Sequence, residues 1–250
     1  MNRRTFLKSV PALAMMASAK TSFSQDANTV TPSTGSTSSP QASSGQASSP
    51  QAQPVIQTDG VIKLNQPDLN KGISVMEALK KRKTHREISD KKLTLQQLSE
   101  LLWAADGINR PDGKRTSPAA MAKYAVDIYV VLPEGVYLYD VAKHELTPVA
   151  KGDFRKQAGM QDFVFIAPVN LVYVLNLKNW QDTSRPILEQ KRDRWIAVEL
   201  GCIVQNVHLY CASEGLGATI RGMIDEKKFS EVIKVKPEQI LLAQTVGYPK

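Results

Sequence analysis

Residues 194–222 read RWIAVELGCIVQNVHLYCASEGLGATIRG. From Trp195 to Cys211 apolar side chains fall on nearly every face of a 3.6-residue repeat. That pattern predicts a helix over 194–215 buried at the centre of the fold, not one lying on its surface. Gly215 ends it. Gly217, two residues later, leaves a second stretch of backbone bare, where a flat ring could approach and accept main-chain N–H bonds. An ordinary helix cap and turn would use the same glycines, so this stretch alone leaves both readings open.

The segments around this helix do not alternate regularly between strand and helix. Ser74-Val75-Met76-Glu77 has capping-box spacing and starts a helix that runs to about Arg82. Thr94-Leu95-Gln96-Gln97 repeats the device, and Leu95, Leu98, Leu101, Leu102 and Ala105 follow at helical spacing up to Gly107. VDIYVVL (126–132) and GVYLYD (135–140) predict a hairpin, VNLVYVLNL (169–177) a longer strand, and ILLAQTVGY (240–248) a closing strand, with a short helix near 226–234. Helices, a hairpin, a strand, a buried helix and a last strand make an α+β fold.

The chain has 250 residues and a formal net charge of +8. Arg3-Arg4, the apolar run Val10–Ala17 and the small residues after it predict a leader over 1–24, too short an apolar stretch to span a bilayer. Arg3-Arg4-Thr5-Phe6-Leu7-Lys8 resembles the bacterial twin-arginine export signal, which implies a periplasmic protein that folds before export. Residues 25–60 are rich in Ser, Pro, Gln and Ala and cannot bury enough surface to offset the entropy of ordering, so they predict a tether. The domain is therefore expected over 61–250, and after four basic and two acidic residues in 1–60 it keeps +6 of the charge. That charge permits anionic ligands. No aromatic residues interleave the basic ones as in a nucleic-acid module, so no nucleic acid is expected.

Two short stretches carry candidate chemistry. In KKRKTHREI (80–88), Arg82 and Arg86 share a face on a helix or on a strand, with Lys83 and Thr84 between them. Two guanidinium forks on one face suit a phosphate, although basic residues at a helix C-terminus also complement its dipole. In GINRPDGKRTSPAAMAKYAVDIYVV (107–131), a basic turn-rich loop suited to an anion runs into the alanines 119, 120 and 122. Cys202 and Cys211 lie nine apart on one helix, half a turn out of phase, so they do not bond to each other. His85, His144 and His208 have no partners at metal spacing, no metal is expected, and His208 is expected to be a satisfied core residue.

Taken in order, RKTHREI, LLWAADGINRPDGKRTSP, the buried helix, EGLGA and TVGYP resemble the FMN-dependent nitroreductase family, over about residues 72–250. The likeness is greatest to its compact branch, whose members include azoline dehydrogenases acting on peptides. The resemblance implies a mixed or antiparallel sheet flanked by helices, a homodimer with FMN at its interface, and an oxidoreductase acting on a small molecule. By the same resemblance Arg82, Lys83, Thr84 and Arg86 would grip the FMN phosphate and ring edge. Glu214, Gly215 and Gly217 would offer backbone donors to the flavin, and Gly247 would pass the phosphate. No catalytic acid or base is assigned, and the electron donor would be a periplasmic or membrane carrier. The family's loop reads Pro-Ser-Ala-x-Asn-x-Gln; here Ala119, Ala122 and Tyr124 replace its Ser, Asn and Gln. Each lost hydrogen bond is worth roughly 0.5–1.5 kcal/mol. The rival expectation is therefore a non-catalytic binding or assembly module of the same fold that has weakened or lost FMN.

The leader yields a direct test. Expressed with residues 1–24 intact in a bacterial host, the protein is expected in the periplasmic fraction. An Arg3→Lys, Arg4→Lys variant should stay in the cytoplasm, and normal export of that variant would contradict the twin-arginine assignment.

Overall fold

In β2 (Val126–Leu132), Val126, Ile128, Val130 and Leu132 face one hydrophobic cluster while Tyr129 and Val131 face another. Both faces of the sheet are thus covered, which explains why its central strands read as continuous apolar runs instead of alternating. The computed structural model describes residues 60–181 and 188–250. The leader expected over 1–24 and, but for Gly60, the tether expected over 25–60 lie outside them.

β2 pairs with β3 (Gly135–Asp140) on one side and β5 (Val169–Leu175) on the other. With β1 (Ile62–Lys63), β4 (Glu145–Lys151), β6 (Gly217–Arg221) and β7 (Ile240–Gly247) they form one seven-stranded sheet in the order β1-β4-β3-β2-β5-β7-β6. Every pairing among these strands is antiparallel, so the antiparallel form of the α+β expectation holds. Helices α2 (Leu95–Asp106) and α4 (Glu189–Ser213) pack on the first face, and Phe229 and Ile233 of α5 (Glu226–Ile233) cover the second. Two shorter helices, α1 (Val75–Lys81) and α3 (Asp162–Ile166), complete the set.

The caps follow the sequence closely. Ser74 accepts a bond from Glu77 N at 3.2 Å, and Thr94 with Gln97 closes a reciprocal capping box. Gly107 ends α2 for a different reason than a left-handed turn: its φ is −71°, and an added Cβ would lie 2.4 Å from a Trp103 ring carbon.

Three features depart from expectation. α4 begins at Glu189 and is buried along one stripe only, through Ile196, Glu199, Leu200, Ile203, Val204, Val207, His208 and Cys211. Its opposite face, with Ala197, Val198 and Gly201, is exposed, Val198 by 63%. A layered fold covers a helix on the side that meets the sheet, whatever its other side chains are. β4 carries no strand signal because Pro148 interrupts it. The proline sits beside the register shift between Val136 and Tyr137 on β3, where the ladder is already irregular. The stretch after Gly215, expected as an open turn, is instead the edge strand β6. Arg221 fixes its far end, donating to Thr245 Oγ1 (2.9 Å), Asn170 Oδ1 (3.1 Å) and Ala158 O (2.5 Å).

The closing strand is held by close packing. A Cβ on Gly247 would meet Ile88 Cγ2 at 2.5 Å and Pro168 Cδ at 2.8 Å. Gly247→Ala is therefore expected to cost about 1–3 kcal/mol by overpacking, lowering the thermal midpoint by roughly 2–10 °C. Gly222→Ala, whose Cβ would meet nothing nearer than Leu242 at 3.9 Å, should leave it almost unchanged. Equal midpoints for the two variants in a calorimetric scan would refute the packing role.

Candidate functional site

Arg82 leaves α1 in an extended conformation (φ −57°, ψ 119°), and the next residues run along the outer edge of the sheet. His85 N donates to Ala218 O at 3.2 Å, the Thr219 hydroxyl donates to His85 O, and Thr84 forms a parallel bridge with Ala218. Ser89 N bonds Tyr248 O at 2.8 Å, and Lys250 N bonds Glu87 O at 3.0 Å. Segment 82–89 is thereby stitched between β6 and the end of the chain. Between it and the C-terminal turns of α4 opens a cleft of about 170 Å³, whose lining includes Lys81, Arg82, Lys83, His85, His208 and Gly215.

The end of α4 is a Schellman motif. Gly215 has φ +69°, and Leu216 N donates to Cys211 O at 2.8 Å. Two helix C-termini, those of α1 and α4, meet at the cleft, and each contributes at most about half a negative charge. Lys81 is paired with Glu77 at 2.9 Å, which leaves Arg82 and Lys83 against roughly one unit of helix charge, so a positive excess remains after the dipoles are complemented. Among the described residues no carboxylate lines the cleft. Burial, then Lys83, lowers the pKa of His85; burial, then Arg82 and His85, lowers that of His208. Both imidazoles are thus neutral at pH 7, each with one N–H to offer. Burial pushes the Cys211 thiol well up, which makes it a poor nucleophile.

Of the residues singled out from the sequence, Arg82, Lys83 and Gly215 line this cleft. Thr84 and Arg86 are exposed and do not line it. The Glu214 side chain pairs with Lys71 at 3.1 Å, which leaves its backbone at the turn, in a cluster where Lys71 also meets Glu100 at 2.5 Å and Tyr210 donates to Glu100 at 2.9 Å. Gly217 and Gly247 serve packing: a Cβ on Gly217 would lie 2.7 Å from His85 Cβ. His85 and His208 were not expected as site residues. They are 123 positions apart, and the only local hint is a polar residue breaking the apolar stripe of α4.

The loop before β2 is committed inward. Arg115 pairs with the fully buried Asp106 at 2.5 Å and lies over the Tyr124 ring at 4.2 Å, and the Ser117 hydroxyl donates to Asp106. Arg115, one of the basic residues that made this loop look suited to an anion, therefore serves the core. Met121, Ala122 and Tyr124 take left-handed φ of 56°, 53° and 39°. Asn tolerates that conformation far better than Ala does. The loop ends at Val126, whose N–H bonds Glu199 Oε1 at 3.2 Å. Glu199 is twelve residues, roughly 18 Å of helix rise, from Cys211 at the cleft.

Comparisons with known proteins converge. The Nitroreductase family matches residues 79–248. A nitroreductase-family protein of Methanocaldococcus jannaschii is 30% identical over 191 residues, covering 72% of this chain and 94% of its own. A crystal structure of a nitroreductase-family protein from Ralstonia eutropha JMP134 superposes with a TM-score of 0.70 at 39% identity, covering 78% of this chain and 92% of that one. A chain of the E. coli microcin synthetase complex shares the fold alone, with a TM-score of 0.59 at 18% identity over 80% of this chain and 79% of that one.

Beneath the loop, burial outweighs the Arg115 cation and raises the Asp106 pKa to about 6; burial, then Asp106, raises that of Glu199 to about 7. Between the ordinary carboxylate range and these values the native state holds more protons than the unfolded chain. Stability from this pair therefore falls as pH rises from about 4 to 7. Asp106→Asn should flatten that slope, removing on the order of 3 kcal/mol of pH dependence by the ~1.4 kcal/mol per unit rule. Urea unfolding at pH 4.5, 6 and 7.5 measures it; parallel curves for variant and wild type would count against a titrating Asp106.

Proposed function

The chain belongs to the nitroreductase family, and from that premise we propose that it is an exported FMN-dependent oxidoreductase that works as a homodimer. The observation that carries this is the cleft at the family's basic motif. Arg82 and Lys83, with the Glu77-paired Lys81 and two neutral imidazoles, converge there with no carboxylate among the described lining residues, beside the left-handed Gly215. That donor set fits a phosphate. The guanidinium of Arg82 supplies a planar fork and Lys83 a point charge, while the turn at 214–217 fixes the backbone beside them. Bound FMN would supply the hydride or electron transfer, and the chain's task is to bind and orient it.

One protomer encloses about 170 Å³, less than the roughly 300–1,000 Å³ of typical small-molecule sites, so the cleft takes the phosphate end and leaves the ring uncovered. The 117–124 loop stands off along α4 from the cleft of its own chain. A second copy supplies the remaining wall in this reading, and the uncovered face of α4 is where it docks, with Val75 (67% exposed) and Met76 (75%) of α1 nearby as further apolar contacts. The substrate is a nitro compound, a quinone or an oxidisable ring, and outside the cytoplasm the electrons come from a periplasmic or membrane carrier. The second reading, a non-catalytic module, draws its support from Ala119 and Ala122.

A fluorescence titration separates the two. Wild type is expected to bind FMN and to sediment as a dimer. Arg82→Ala should weaken FMN by roughly 1.5–3 kcal/mol, the range for hydrogen bonds to charged groups, or about 10- to 150-fold. Arg86→Ala, at an exposed position off the cleft, should do much less. Failure of FMN to bind at millimolar concentration, to wild type and to an Ala119→Ser, Ala122→Asn variant alike, would replace the oxidoreductase by the module.

A further inference from the structure

His208 projects from α4 into the cleft and is 6% exposed. Neither of its ring nitrogens makes a hydrogen bond with any described residue, and the same holds for the His85 ring across the cleft. His144 is unlike them: its two nitrogens meet Tyr139 Oη and Asn65 O, each at 2.9 Å. Neither ring is sealed off, since no His208 or His85 nitrogen is among the buried side-chain atoms that lack a partner, so both rings present their nitrogens to whatever enters the cleft.

The groups facing His208 can be enumerated. Lys81, Arg82 and Lys83 approach from the end of α1 and the segment after it, with His85 beyond them. Cys211 stands one turn further along α4, and Leu216, Ala218 and Pro249 on the remaining side carry no titratable group. Burial first, then the Arg82 cation, lowers the His208 pKa, and Glu77 offsets only Lys81 among the neighbouring cations, so a proton on the ring would stand beside the uncompensated Arg82 and Lys83. A phosphate monoester brings close to two negative charges and three acceptor oxygens. Set among these cations it removes the objection to a charged imidazole and takes up the N–H groups that lack partners.

We propose that His208, with His85 opposite it, is a proton-coupled ligand for a phosphate monoester, donating an N–H to the phosphate and gaining a proton from solvent as the phosphate binds. The proposal rests on the cationic cleft of the flavin reading and extends it, giving the site a pH dependence that Arg82 and Lys83 alone would not confer. His208 is a positioning residue in this scheme, since it touches the phosphate and not the reacting ring.

The three histidines of the chain can be resolved by imidazole NMR and assigned by single His→Gln variants. The full chain is titrated with acid and base alone, with FMN, with riboflavin and with inorganic phosphate. FMN and inorganic phosphate are each expected to raise the His208 midpoint by about one pH unit or more, corresponding to about tenfold coupling. Riboflavin should leave it in place, and His144, already partnered, should not move in any arm, which also reports that the fold is intact. His208→Gln should remove the several-fold gain in FMN affinity between pH 8 and pH 6.5. If FMN binds and the His208 midpoint stays put, the inference falls while the flavin reading stands. An equal shift with riboflavin also overturns it. If inorganic phosphate moves His208 but FMN does not bind, the phosphate site holds and the flavin reading falls. If neither ligand binds, both fall.

Discussion

The cleft exists because an extended segment, and not another strand, closes the outer edge of the sheet. Residues 82–89 lie against β6 through the His85–Ala218 and Thr219–His85 bonds, and against the chain end through Ser89 and Glu87. An edge strand left bare offers unpaired N–H and C=O groups; here the segment takes several of them. It can approach so closely only because Gly217 and Gly247 lack side chains where His85 and Ile88 seat. Once the segment is fixed there, Arg82 and Lys83 have nowhere to stand but beside the last turn of α4.

The electrostatics follow from that placement. Two helix C-termini converge on the cleft, and their carbonyl ends would by themselves repel an anion. With Lys81 offset by Glu77, Arg82 and Lys83 overcome them. The buried ion pairs elsewhere are arranged oppositely: Glu100 is shared among Lys71, Tyr210 and Gln96, and Asp106 between Arg115 and Ser117. Carboxylates are thus spent on holding α2, α4 and the loop in register, while at the cleft Lys81 is paired with Glu77 and Arg82 and Lys83 have no ion pair among the described residues.

Periodicity and capping in the sequence foretold α1, α2, α5, β2, β3, β5 and β7 because those signals are local. Ser74, Thr94 and the Val/Ile/Tyr runs each act within a few residues. β6 and β4 were invisible for physical reasons. β6 follows a helix cap and is too short to show a period, and Pro148 in β4 is a strand breaker tolerated only beside a bulge. The one-sided burial of α4 could not be read from its composition, because apolar side chains are equally compatible with a sheet on one side and a second surface on the other. Arg82, Lys83 and Gly215 were legible as candidates through their order along the chain. His85 and His208 were not, since only the folded sheet brings together residues so far apart. Glu214, Gly217 and Gly247 were singled out through the family resemblance, and the structure adds what the sequence could not show, the Lys71 partner of the Glu214 side chain and the close packing at the two glycines.

His85 holds two offices at once. Its Cβ fills the space that Gly217 leaves at the sheet edge, and its ring walls the cleft. Any replacement there alters the fit of the edge and the lining of the site together, so measured effects on folding and on ligand affinity at this position will be coupled, not additive. The same is not true of Lys83, which is exposed and free to vary at little structural cost. Evolvability in this cleft is therefore unevenly distributed: charge can be retuned at the rim, whereas the floor is tied to the architecture and will resist adaptation to a new ligand.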